Sequence, residues 1–164
     1  MSARLIHDLT VKLDYGVFVL QGDTEADVEA HVRLVDEATS GPGVASDGRS
    51  VVVVSPHQNN FAMSLRVEVW NTAAPDDLSE WEEAFEASLT IDSDGTLLYV
   101  SPTMSPHTCL VPAGRYAVRV VGRGFVSRGW PGSTRPGDHW RVQLWPSVDR
   151  VEPRRLKAWT EPIE

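Results

Sequence analysis

The sequence predicts a mostly β protein: an antiparallel, jelly-roll-like β-sandwich with one or two short helices. Three observations lead there. Apolar and polar residues alternate at period two in five separate segments, the pattern of strands with one wet face. Clusters of Gly, Pro, Asp and Ser punctuate those segments at short intervals. Only one stretch has convincing helical spacing, and strands that follow one another without helices argue for a sandwich over a parallel sheet.

The first strand signal covers residues 10–20. Val11, Leu13 and Tyr15 alternate with Lys12 and Asp14, and Gly16 shifts the phase before Val17, Phe18 and Val19. One bulged strand and two short strands meeting at the glycine both fit. Gln21-Gly22-Asp23 then turns the chain. Residues 24–38 carry the helix, with Val28, Val32 and Val35 at helical spacing and Leu34 beside them, Asp23 or Thr24 as cap, and Gly41-Pro42-Gly43 as stop. The valines count against it, because β-branched side chains lose rotamer freedom in a helix.

Beyond residue 50 the pattern is β. Residues 51–54 form a short buried run, and residues 61–70 alternate cleanly, with Met63, Leu65, Val67 and Val69 opposed to Arg66 and Glu68. A helical turn or two fits residues 78–84. Phe85, Ala87, Leu89 and Ile91 form the next strand, which turns at Asp92-Ser93-Asp94-Gly95 into a hairpin partner at 96–100. A proline-rich loop at 101–106 follows, and Pro112-Ala113-Gly114 turns into a strand bearing Tyr116, Val118 and Val120. Residues 122–138, dense in glycine and proline, form a long surface loop. Trp140, Val142 and Leu144 mark the last strand, and the proline-broken tail lies along the surface. The total is seven to nine strands.

A chain of 164 residues fits one β-sandwich domain spanning 1–164, with enough length for a sizeable core. Nothing approaches the about 20 apolar residues of a membrane-spanning helix, so no membrane role is expected. The opening segment has no charged leader, and Cys109 is the single cysteine; both features predict a cytoplasmic protein with a buried structural thiol. The net charge of −8 argues against nucleic acid as partner. That charge is unevenly spread: residues 1–114 carry 5 Lys+Arg against 18 Asp+Glu, and residues 115–164 carry 10 against 5.

No catalytic constellation stands out. The glycines at 122–124 and 129–132 lack nucleotide-binding spacing, and no long helix follows to hold a phosphate. No nucleophile elbow is present, and Cys109 has no local activating group. His57, His107 and His139 stand at predicted turns or strand ends; three converging imidazoles would hold a metal, but solvated turn residues are the better reading. No metal and no cofactor is therefore expected, with a metal-dependent enzyme using those histidines kept as an alternative.

Two features remain. Asp76, Asp77, Glu80, Glu82, Glu83, Glu86, Asp92 and Asp94 have no basic residue among them. This is a solvated face or a docking patch for a basic protein. Trp130 lies in the long loop within Arg128-Gly129-Trp130-Pro131-Gly132, where it serves as interface anchor, sugar platform or lid on the sandwich. The partner-binding set is thus Asp76, Asp77, Glu80, Glu82, Glu83 and Trp130. A small-ligand or carbohydrate-binding sandwich using Trp130 and Trp70 is the alternative.

Four phrases carry a resemblance: residues 65–70 (LRVEVW), the acidic segment 75–81, residues 111–120 (VPAGRYAVRV) and residues 137–146 (GDHWRVQLWP). In that order, over residues 50–146, the sequence resembles bacterial β-rich proteins similar to the competence protein J family. Members of that family are associated with inhibition of a DNA-entry nuclease. The shared phrases are fold punctuation and carry over no site residue. The resemblance implies a protein-binding module, an inhibitor or immunity-type partner of a basic nuclease or toxin, which an acidic surface suits.

Overall fold

The computed structural model describes residues 2–24, 28–56, 62–125 and 138–160. Two sheets enclose one core. The larger, sheet A, comprises β1 (Leu5–Val11), β5 (Met63–Val69), β6 (Glu83–Ile91), β9 (Gly114–Arg123), β10 (His139–Pro146) and β11 (Arg154–Lys157), in the spatial order β1-β5-β10-β9-β6-β11. The smaller, sheet B, comprises β2 (Val17–Gln21), β3 (Val44–Ser46), β4 (Ser50–Val54), β7 (Thr96–Val100) and β8 (His107–Leu110), in the order β3-β4-β2-β7-β8. The mostly β, two-sheet class is as expected. The difference lies in one ladder, since β5 and β10 run parallel while every other pair among the described strands is antiparallel.

Period-two alternation builds the core. Leu65, Val67, Val118, Val120, Val142 and Leu144 point inward from sheet A and meet Phe18, Leu20, Val51 and Val53 from sheet B in one apolar cluster. Trp140 joins the layers, its ring edge-on to Phe18 at 5.2 Å and to Phe125 at 5.5 Å. Cys109 is buried as expected, and its apolar surroundings push the thiol up to about 11, which leaves it inert at neutral pH.

Between β1 and β2 the chain breaks at the expected glycine. Tyr15 and Gly16 take left-handed backbone, with φ 54 and 67. The turn is fixed from below by Asp14, whose buried carboxylate accepts the Ser101 hydroxyl at 2.8 Å and the Thr103 amide at 3.0 Å. Two strands, not one bulged strand, is the outcome. The first begins at Leu5, earlier than the alternation signalled.

The helix α1 (Val28–Ser40) lies against the outer face of sheet B, but on a different stripe from the one expected. Ala30, Leu34 and Ala38 are buried, whereas Val28 and Val32 are 70% and 58% exposed. A 3₁₀ turn at Leu78–Glu80 replaces the predicted helical turns. Strands β3, β8 and β11 lie where the sequence predicts none; β8 pairs with β7 at the edge of sheet B, and the tail expected as surface coil adds β11 to sheet A along β6.

Candidate functional site

The alternation that buries one face of sheet A loads the other with charge. His139, Arg141 and Gln143 point outward from β10, Ser64, Arg66 and Glu68 from β5, and Arg119, Val121 and Arg123 from β9. Register sorts them into rows. Ser64, His139 and Arg123 stand abreast on three adjacent strands, and Asp8, Arg66, Arg141 and Val121 form the next row. Glu68, Gln143, Arg119, Glu86 and Arg154 make a third.

Trp81 lies over this face. Its ring packs with Ala84 and Val121, flanked by Leu78 and Leu156. The guanidinium carbons of Arg123 and Arg141 sit 4.4 and 4.6 Å from its ring centre, close enough for cation–π attraction. Arg141, 11% exposed, also forks onto Asp77, donating Nη2 to Oδ1 at 2.6 Å and Nη1 to Oδ2 at 2.7 Å. That bidentate grip holds the Asp77 carboxyl below the usual carboxylate range, with partial burial opposing. Arg66 makes a second fork, to Asp8, at 2.9 and 3.3 Å. Glu68 is buried and accepts from Trp70 Nε1 at 3.0 Å and Gln143 Nε2 at 2.9 Å.

Three basic side chains pin the acidic segment to the sheet through its carbonyls. Arg119 donates to Pro75 O at 3.0 Å, Arg123 to Glu80 O at 3.3 Å, and Lys157 to Leu78 O at 3.0 Å. Between the rows opens a recess of ≈ 380 Å³, walled by Ser64, Arg66, Arg123, His139 and Arg141, with Glu68 and Trp81 beside them. The uneven charge of the sequence is thereby partly interleaved: Arg141 of β10 takes up Asp77, and Arg154 and Arg155 of β11 take up Glu86 and Glu83.

The expected partner-binding residues fall into distinct positions. Asp76 and Glu80 are exposed, and Asp77 is engaged with Arg141. Glu82 accepts the amides of Gly124 at 2.5 Å and Phe125 at 3.4 Å, fixing the end of β9. Glu83 points inward at 1% exposure and pairs with Arg155 at 3.5 Å, while Glu86 pairs with Arg154. Asp92 and Asp94 stand beyond the far end of β6. Trp130 lies outside the described residues, as does His57. His107 sits on sheet B and His139 on sheet A, and among the described residues no group of three metal-ligating side chains forms. Trp70 is half-buried, with its indole committed to Glu68.

Glu83 gives a pH-dependent expectation. Burial holds its carboxyl above the usual range, with Arg155 and the Trp159 backbone opposing. The folded state therefore binds that proton more tightly than the unfolded chain. The contribution to stability is greatest below the unfolded value and declines as pH rises through the folded one. Glu83→Gln is expected to flatten this decline and to leave neutral-pH stability equal or higher. Urea midpoints at pH 5 and 7.5 check it; a variant weakened mainly at pH 7.5 would mean that the Arg155 pair outweighs burial.

The arginine rows escaped sequence reading. Alternation placed Arg66, Arg119 and Arg141 on polar faces, but only the parallel β5–β10 ladder brings β5 beside the C-terminal hairpin. Among the described residues, no helix is long and apolar enough to cross a membrane.

No protein-family model matches the sequence, and no curated protein matches it. Two solved structures do match in fold. The crystal structure of ComJ, inhibitor of the DNA degrading activity of NucA, from Bacillus subtilis, has a TM-score of 0.57 at 9% identity, covering 88% of this chain and 97% of that one. Crocagin biosynthetic gene J has a TM-score of 0.55 at 14% identity, covering 87% and 97%. The fold is ComJ-like.

Proposed function

We propose that this chain acts in the cytoplasm, as a single β-sandwich domain, by binding and inhibiting a basic nuclease or toxin. The observation that carries the reading is the ComJ-like fold, shared over nearly the whole length with a protein that inhibits a nuclease. The outer face of sheet A adds to it. That face is polar and built from paired charges, and such surfaces set register and approach rate between proteins more than raw affinity. In this reading Asp76 and Glu80 meet the partner directly. Asp77, Glu82 and Glu83 hold their segment in place, and Trp130 is the anchor.

A plasmid-degradation assay tests the reading, using nucleases purified from the chain's own source. One of them is expected to lose activity at equimolar chain. Asp76→Lys together with Glu80→Lys is expected to slow association about tenfold at low salt and to flatten its salt dependence. Full nuclease activity at excess chain, for every nuclease tried, would sink the reading.

A further inference from the structure

We propose that the recess on the outer face of sheet A is a carboxylate-binding site, filled by an acidic side chain of the protein partner. The inference rests on the protein-binding reading and adds the chemistry that the partner must present.

Donors outnumber acceptors in the recess. Ser64, His139 and three arginines face one carboxylate, Glu68, which already accepts from Trp70 and Gln143. Arg66 and Arg141 are neutralised by Asp8 and Asp77, but Arg123 is not: among the described residues it has no carboxylate partner. Its guanidinium is set in place by the Trp81 ring and the Glu80 carbonyl, so little rotamer freedom remains to be lost on binding. The side chains of Ser64 and His139 likewise have no hydrogen-bond partner among the described residues. These three stand in register on adjacent strands. At about 4.8 Å between strands the row spans about 10 Å of backbone, and all three side chains line the one recess.

The alternatives fit less well. A nucleobase or sugar needs an open aromatic face, and Trp81 is 7% exposed beneath two guanidiniums. A nucleic acid would bring many phosphates past exposed Asp76 and Glu80 on a chain of net charge −8. An acidic protein side chain brings one or two negative charges and little else.

The test uses the intact chain, with side-chain NMR signals of Arg123 and His139 as reporters. The probe is a capped peptide carrying two adjacent glutamates, and its glutamine counterpart is the control. The glutamate peptide is expected to shift both signals saturably at millimolar concentration, less so at high salt, while the glutamine peptide does not. Arg123→Gln is expected to weaken that binding about tenfold, the loss of one charge-assisted hydrogen bond. His139→Gln, which leaves the Trp81 stack intact, is expected to weaken it by a smaller factor. Equal shifts from inorganic phosphate alone would mean a free-anion site and overturn the partner assignment. No shift from the glutamate peptide at tens of millimolar would overturn the site itself. Either failure leaves the nuclease assay to stand or fall separately.

Discussion

Gly22→Ala is expected to cost more than about 4 kcal/mol, a large part of the stability of any small domain. Gly22 follows β2 at the point where sheet B touches the end of β6 in sheet A. Its amide donates to Arg49 O at 2.9 Å, and its carbonyl accepts from the Asp92 amide at 2.8 Å. A Cβ there would lie 1.8 Å from the Thr90 carbonyl oxygen and 2.8 Å from its carbon. Both obstacles are backbone, so no rotamer change relieves them. Relief requires the end of β2 to move away from the end of β6, which breaks the Asp92–Gly22 hydrogen bond and disturbs Leu20 and Ile91 in the core. Chemical denaturation of the variant checks the expectation. A loss below about 1 kcal/mol would show that this contact yields easily.

Trp140→Ala is the second large loss, about 3–5 kcal/mol. Trp140 is 1% exposed and is the largest fully buried side chain among the described residues. Its ring fills the space over Gly122, where a Cβ would stand 2.8 Å from Cε3 and Cζ3. Removing the indole leaves a void facing Phe18 and Phe125, which only partial collapse can fill. Gly122→Ala alone should also destabilise, by crowding the same ring. In combination the two should cost less than their sum, because the added methyl occupies part of the void. Equilibrium unfolding of the two single variants and the double variant closes the cycle; strict additivity would mean that the two positions do not share that space. The effect reaches the candidate site as well, since the residues that flank Trp140, His139 and Arg141, point the other way into the recess.

Where one face is wet and the other dry, the strands were legible. β5, β6, β9 and β10 follow their period-two apolar residues. The turn at 92–95 falls at its signal, but it joins no hairpin: β6 pairs with β9 and β11 in sheet A, and β7 pairs with β2 and β8 in sheet B, so the chain crosses between the sheets there. Other elements were hidden for identifiable reasons. In β1 the inward-facing series Leu5, His7, Leu9, Val11 is interrupted by His7, whose ring nitrogen instead meets the Leu110 carbonyl at 2.7 Å. The valines signal the helix, yet the buried stripe is Ala30, Leu34 and Ala38, and two small alanines about one leucine give a weaker hydropathic signal than three valines. β11 reads as charge because Arg154 and Arg155 meet Glu86 and Glu83 on its neighbour. The candidate site was legible only as separate polar faces, because pairing between distant strands leaves no trace in local sequence.

The parallel ladder between β5 and β10 also sets an order of events during synthesis. Glu68 and its partner Gln143 are 75 residues apart in the chain. At roughly 5–20 residues per second, β5 leaves the ribosome about 4–15 s before the strand that completes its other edge. Throughout that interval β1 and β5 form at best a two-stranded ribbon, with the other edge of β5 unpaired. A nascent chain of this topology is thus open to chaperones, or to a neighbouring nascent chain, until its last third has emerged.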